Sequence, residues 1–318
     1  MAAPPQLVFW HLEKAGGSSV LSWLKELNVS IEKVVAERMV FPPEYFAEKY
    51  FRIGLMREPC SYAVSEYMWG RRLGSFEGRE LPGTGAGFMR YALSGQGHAD
   101  LYNGDVKEGF RKWLRFIHSP PPRDMGQPFD RSPQMPPCGL LAMRFWTQVV
   151  NASAAARINA YRKAVLPCFT IDPKTNTTRP CPKSCPLADC VRAAPAELLA
   201  ACAKEVPSFN ISRFDCWLRT EQLADDFVAC MNLYQARGGR PELAVTRLRA
   251  VVNRSWNVDK SAHLLSCEQM YVNETRTLVW HADGGVARLF GYTGCCQPAA
   301  SRAQREILDR GGCQIPRT

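Results

Sequence analysis

Residues 7–19 read Leu7-Val8-Phe9-Trp10-His11-Leu12-Glu13-Lys14-Ala15-Gly16-Gly17-Ser18-Ser19. The opening four residues form a short, unbroken apolar run, the signature of a buried strand. Beyond the serines, Val20, Leu21, Leu24 and Leu27 recur at helical spacing. The turn between them carries two glycines, which let the backbone approach an anion with no Cβ in the way. The helix that follows presents unpaired N–H groups and the positive end of its dipole. Lys14 adds a charge, and Ser18 and Ser19 add hydroxyl donors. In physical terms this is a phosphate-binding loop. Its lysine precedes the glycines, so it does not fit the nucleotide triphosphatase pattern G-x-x-x-x-G-K-[ST].

The same grammar recurs twice. Phe51-Arg52-Ile53-Gly54-Leu55-Met56 leads into Arg57-Glu58-Pro59, with proline placed for the first turn of a helix that continues through Tyr62 to Trp69. Phe214-Asp215-Cys216-Trp217-Leu218 leads into Arg219-Thr220-Glu221 and then a stripe of Leu223, Phe227 and Met231. Three strand–turn–helix units separated by long connections predict an α/β fold with a central parallel sheet and helices on its faces. Ligands of such sheets collect at the carboxyl ends of the strands. Ser119 to Cys138 is rich in proline and reads as a surface loop. No composition shift marks a linker, and the expectation is one domain over 1–318.

Thirteen cysteines run from Cys60 to Cys313. Five of them, Cys168, Cys181, Cys185, Cys190 and Cys202, are spaced C-x12-C-x3-C-x4-C-x11-C without a histidine. Zinc sites pair their ligands more closely, so a disulfide-rich insertion over 166–204 and an oxidising compartment are expected. Six N-x-S/T sequons, at Asn28, Asn151, Asn176, Asn210, Asn253 and Asn273, point the same way. There is no apolar run of membrane-spanning length and no basic-then-apolar leader at Met1. The expectation is a Golgi-luminal region whose membrane anchor lies outside this sequence, or a cytoplasmic protein if the chain is complete as given. A net charge of +10 suits a polyanionic partner. No zinc-finger or RNA-binding signature accompanies it, so an acidic glycan or a nucleotide is expected rather than a nucleic acid.

The motif H-L-E-K-A-G-G-S-S resembles the 5′-phosphosulfate loop of the membrane-bound carbohydrate sulfotransferases, H-x-x-K-[TA]-G-G-[ST]-[ST]. Leu55-Met56-Arg57-Glu58-Pro59-Cys60-Ser61-Tyr62-Ala63-Val64-Ser65-Glu66-Tyr67 resembles the family's 3′-phosphate motif, L-x-R-[DE]-P-x-x-R-x-x-S-x-[YF]. Tyr62 stands where the family often has a second arginine. Leu218-Arg219-Thr220-Glu221-Gln222-Leu223 is similar to the family's third strand–turn–helix and reads as structural. Val252-Asn253-Arg254-Ser255 falls where relatives place a loop that closes over the nucleotide. Arg288-Leu289-Phe290-Gly291-Tyr292 is similar to an L-F-G-Y near the end of several members and reads as packing.

The resemblance implies a P-loop NTPase-like three-layer fold, closest in motif style to the glycosaminoglycan 2-O- and 6-O-sulfotransferases. It implies the donor PAPS (3′-phosphoadenosine 5′-phosphosulfate), no metal, and an acidic polysaccharide or other glycan as acceptor. Lys14 would carry charge at the bridging oxygen, and Ala15, Gly16, Gly17, Ser18 and Ser19 would hold the 5′ end. Arg57 and Ser65 would grip the 3′-phosphate, with Arg254 and Ser255 closing over the nucleotide. The acceptor hydroxyl needs a general base. Glu37, where relatives carry a histidine-bearing segment, is the first candidate, and His98 in its glycine-rich loop is the rival. His11 reads as loop scaffold, and His118, His263 and His281 as structural. Two alternatives stay open: a catalytically impaired glycan-binding protein on the same fold, and a P-loop kinase.

Overall fold

A computed structural model describes residues 4–36, 39–75, 104–118, 138–151, 153–154, 156–157, 169–171, 178–180, 196–241, 243–253 and 266–297. Among them the strands are β1 (Gln6–Trp10), β2 (Ile31–Val35), β3 (Tyr50–Met56), β4 (Phe169–Ile171), β5 (Thr178–Pro180) and β6 (Cys216–Arg219). The α-helices are α1 (Gly17–Glu26), α2 (Pro59–Ser75), α3 (Val106–Ile117), α4 (Leu140–Phe145), α5 (Ala196–Glu205), α6 (Leu223–Ala236), α7 (Val245–Val252), α8 (Cys267–Met270) and α9 (Asn273–Leu289). The chain divides into two compact units. One draws on Met1–Glu58, Ser208–Leu265 and Ala287–Thr318, the other on Pro59–Pro207 and Ser266–Val286.

The first unit holds a four-stranded, all-parallel sheet in the order β2-β1-β3-β6. The α/β class and the parallel sheet are therefore as expected. Leu7, Val8, Phe9 and Trp10 are fully buried, as continuous apolar strands of parallel sheets must be. From β1 the chain crosses to β2 on one side and then returns to β3 on the other. Successive strands thus diverge on either side of β1, and the loops that follow β1 and β3 flank such a switch point.

Trp217 of β6 organises the packing. Its ring covers Gly54 on neighbouring β3, where a Cβ would lie 2.3 Å from ring carbon Cζ3. It also meets Phe214, Trp10 and Phe290, with ring centroids 4.4, 6.1 and 4.8 Å away. Phe290 of the R-L-F-G-Y stretch is thus a packing residue, as read. Helix α1 buries Val20, Trp23 and Leu24, and Trp23 meets Phe227 of α6 at 5.1 Å. Of the apolar stripes read from sequence, Val20, Leu24, Leu27, Phe227 and Met231 are buried and Leu21 and Leu223 half-buried. A disulfide joins Cys216 on β6 to Cys230 on α6.

The second unit contains α2, α3, α4, α5, α8, most of α9 and the antiparallel pair β4–β5. Proline 59 opens α2, as its fixed φ favours. An aromatic cluster of Tyr67, Phe110, Trp113 and Tyr271 forms part of its core. Arg144 and Glu66 make a buried ion pair at 3.1 Å, and the Arg144 guanidinium lies over the Tyr62 ring. The tyrosine that departs from the family pattern is thus fully buried beside a cation. Asp283 of α9 accepts the Ala142 N–H at 2.7 Å, capping α4 from another helix. Cys202, the last of the cysteine cluster, pairs outside it with Cys138. Cys168, Cys181, Cys185 and Cys190 lie outside the described residues. No described helix is long and apolar enough to cross a membrane.

His118 directly follows α3 and is 2% exposed, with no hydrogen-bond partner for Nδ1 among the described residues. Burial pushes its pKa down to about 4 from the usual 6.5, because a charged imidazolium cannot be hydrated there. The unfolded chain binds a proton that the folded one refuses. The stabilising difference is therefore whole above pH 6.5 and is lost as the pH falls toward the folded value, up to about 3 kcal/mol. Urea midpoints should fall between about pH 6.5 and pH 5, above most carboxylate titrations. The slope should be shallower in His118→Gln, and an unchanged slope would exclude His118 as its source.

Candidate functional site

Three turns follow the carboxyl ends of β1, β3 and β6, all within the first unit. Their hydrogen bonds join them. Arg57 Nη1 donates to the Lys14 carbonyl oxygen at 2.7 Å. Thr220 Oγ1 contacts the carbonyl oxygens of Ala15 at 2.9 Å and Met56 at 3.2 Å, one hydroxyl shared between two turns. The Glu58 N–H donates to Glu221 Oε1 at 3.0 Å, and the Tyr292 hydroxyl donates to Glu221 Oε2 at 2.7 Å. Tyr292 is 2% exposed. Burial first, and then the Glu221 carboxylate, hold its phenol pKa well above the usual value. It therefore stays a donor at any physiological pH. Arg219 holds the turn itself, donating from its backbone N and Nε to Asp226 Oδ2 at 2.9 Å each.

The glycine turn has left-handed backbone at Lys14 (φ 58°) and Gly16 (φ 88°). Ser19 N–H bonds back to the Gly16 carbonyl at 3.1 Å as α1 begins. The amides of Gly17 and Ser18 stand in the first turn of α1, ahead of the intrahelical ladder. A Cβ on Gly17 would sit 1.8 Å from His11 Cδ2, so close packing demands glycine there. Gly16 stands in left-handed backbone, which favours glycine, and a Cβ on it would lie 2.8 Å from Leu223 Cδ2.

His11 is the floor under this turn. Its ring stacks on Phe9 at 5.9 Å and abuts Gly17. Burial lowers its pKa, with Lys14 adding to the lowering and Glu13 opposing it. The reading of His11 as scaffold is in accord with this geometry. Lys14 is half-buried, Ala15 buried, Ser18 exposed and Ser19 half-buried.

The structure thus brings together Lys14, Ala15, Gly16, Gly17, Ser18, Ser19 and Arg57. Ser65 belongs to the second unit, half-buried in the second turn of α2. Glu37, His98, Arg254 and Ser255 lie outside the described residues, as does His263. His281 is exposed on α9. Sequence reasoning missed the roles of Thr220, Glu221 and Tyr292, which it took for a structural turn and a packing segment. A polar pair directly after a buried strand was the available signal, since buried turn carbonyls and N–H groups need partners. Comparison of the chain with protein-family models, curated proteins and solved structures finds no match.

Two substitutions test this arrangement. Gly17→Ala should cost roughly 3 kcal/mol, the upper range for an overpacked site. Combining it with His11→Ala, which removes the obstructing ring, should bring a smaller loss than the two single losses added, as read in urea melts. Strict additivity would mean that His11 is not what excludes a Cβ. Glu221→Ala leaves the Glu58 N–H and the Tyr292 hydroxyl without their acceptor and should cost about 2–3 kcal/mol by the same measurement.

Proposed function

We propose that this chain transfers a sulfuryl group from PAPS to a hydroxyl of an acidic polysaccharide or other carbohydrate. The observation that carries the reading is the 2.7 Å bond from Arg57 to the Lys14 carbonyl. It puts side by side the two turns whose sequences resemble the 5′- and 3′-phosphate motifs of carbohydrate sulfotransferases. Both turns follow adjacent parallel strands, β1 and β3. The proposed architecture is accordingly a P-loop NTPase-like three-layer fold.

In this reading the chain's residues act by position and charge, as suits in-line transfer with charge spread over equatorial oxygens. The ammonium of Lys14 stabilises negative charge on the oxygen that leaves with the 5′-phosphate. The amides of Gly17 and Ser18, with the Ser18 and Ser19 hydroxyls, hold the 5′ end. Arg57 has five N–H donors, so one can brace the Lys14 carbonyl while its planar fork addresses the 3′-phosphate, a role the motif resemblance also assigns to Ser65. Arg254 and Ser255 are assigned to closure over the nucleotide. Glu37 is the proposed base toward the acceptor hydroxyl, and His98 is its rival. The disulfides suit a luminal setting.

The test is sulfate incorporation from labelled PAPS across a panel of desulfated heparan, chondroitin, dermatan and algal-type polysaccharides. Lys14→Ala and Arg57→Ala should each lower incorporation roughly 100-fold or more, in line with loss of a charge-stabilising donor, while circular dichroism stays native. Full activity in both variants would end this assignment. Acidic-glycan binding with no turnover on any acceptor would instead mark a binding protein.

A further inference from the structure

The proposed chemistry gives no role to the N-x-S/T sequons. Asn176 lies outside the described residues, as does Ser255, the third residue of the Asn253 sequon. The remaining four differ in what their side chains touch.

Asn28 and Asn210 are both exposed. Asn28 closes α1 in left-handed conformation (φ 55°), with its N–H on the Lys25 carbonyl at 3.1 Å, and Ser30 of its sequon is exposed too. In the Asn210 sequon the side-chain oxygen accepts both the Ser212 N–H at 3.0 Å and the Ser212 hydroxyl at 2.6 Å. Both bonds fall on Oδ1, so neither occupies the nitrogen.

Asn151 is built in differently. Its Nδ2 donates to Glu205 Oε2 at 3.0 Å, an oxygen that also accepts Trp146 Nε1 at 2.6 Å. Asn273, the first residue of α9, is exposed, while Thr275 of its sequon is 0% exposed, its Oγ1 donating to the Val272 carbonyl and accepting the Val272 N–H.

We propose that this chain carries N-linked oligosaccharides at Asn28 and Asn210 and none at Asn151. The donor class is an oligosaccharide joined through its reducing carbon to a polyprenyl pyrophosphate. The asparagine Nδ2 forms a bond to that carbon, the carbon–oxygen bond to pyrophosphate breaks, and the lipid pyrophosphate leaves with the electron pair. The amide proton passes to a base of the transferring enzyme. Transfer occurs as the chain is made, and only a chain whose glycans the fold accommodates completes folding and is secreted. A sugar on Asn151 would have to fit where Nδ2 meets Glu205 and Trp146. At Asn28 and Asn210 the sugar projects into solvent. Both turns lead into the amino ends of strands, β2 and β6, whereas Lys14, Arg57 and Thr220 follow carboxyl ends. Glycans there leave the anion-binding turns open. The inference rests on the luminal reading given above and is independent of sulfuryl transfer.

The full chain, directed by a cleavable leader through the secretory pathway of a eukaryotic host, provides the test. Peptide N-glycosidase in heavy-oxygen water converts each glycosylated asparagine to labelled aspartate, read by peptide mass spectrometry. Label is expected at Asn28 and Asn210 and absent at Asn151. Asn28→Gln and Asn210→Gln should each remove one glycosidase-sensitive step of gel mobility while secretion continues. An unlabelled Asn28 or Asn210, or label at Asn151 in the folded secreted protein, overturns the proposal. The Cys216–Cys230 bridge, mapped in the same digest, separates the failures. Bridge without glycan sinks the glycan assignment alone, and neither bridge nor glycan sinks the luminal reading with it.

Discussion

Parallel strands end in turns that no hairpin partner supports, so the backbone groups just past each strand must find partners elsewhere. Here one turn supplies them for two others. The Thr220 hydroxyl lies between the carbonyls of Ala15 and Met56, and the Glu221 carboxylate takes the Glu58 N–H on one oxygen and the Tyr292 hydroxyl on the other. The charged acceptor makes these bonds stronger than neutral ones. The Lys14 and Arg57 turns hold their relative position through this dipeptide as well as through their own contact. Everything proposed about anion binding presupposes that spacing.

β1, β3 and β6 and the turns after them were legible in the sequence because each is local: an apolar run, then a short polar turn, then helical period. Val20, Leu24 and Phe227 fall on buried faces for the same reason. The mostly unburied edge strand β2 has no such apolar run and was not read. What else stayed hidden is long-range. Nothing within a few residues of Glu221 announces Tyr292, which lies 71 positions along. Nothing near Gly17 says that a histidine six residues earlier fills the space a side chain would need. A loop motif tells where Cβ is forbidden, and only the packing tells that His11 forbids it at Gly17.

The second unit was less legible. Its order depends on pairs that no periodicity encodes, such as Arg144 with Glu66 and Asp283 with the Ala142 amide. The cysteine cluster suggested a self-contained insertion, yet Cys202 reaches back 64 residues to Cys138. Spacing within a cluster carries little information about connectivity, because a bridge needs only that two Cα atoms approach to about 6 Å in the fold.

The sequence distance spanned by the Thr220–Glu221 turn also orders the protein's assembly. Strand β3 acquires its β6 neighbour from residues about 160 positions later, and Ala15 waits for Thr220 across 205 positions. During synthesis the glycine turn stays without its clasp until 205 further residues have been made, and the Tyr292 bolt comes 71 residues after Glu221. Such high contact order slows folding and prolongs the exposure of unpaired strand edges. A ribosome-bound intermediate of this chain is thus a client for chaperones, and truncations that spare both phosphate-type motifs but stop short of residue 292 would yield a loosened, not a miniature, protein.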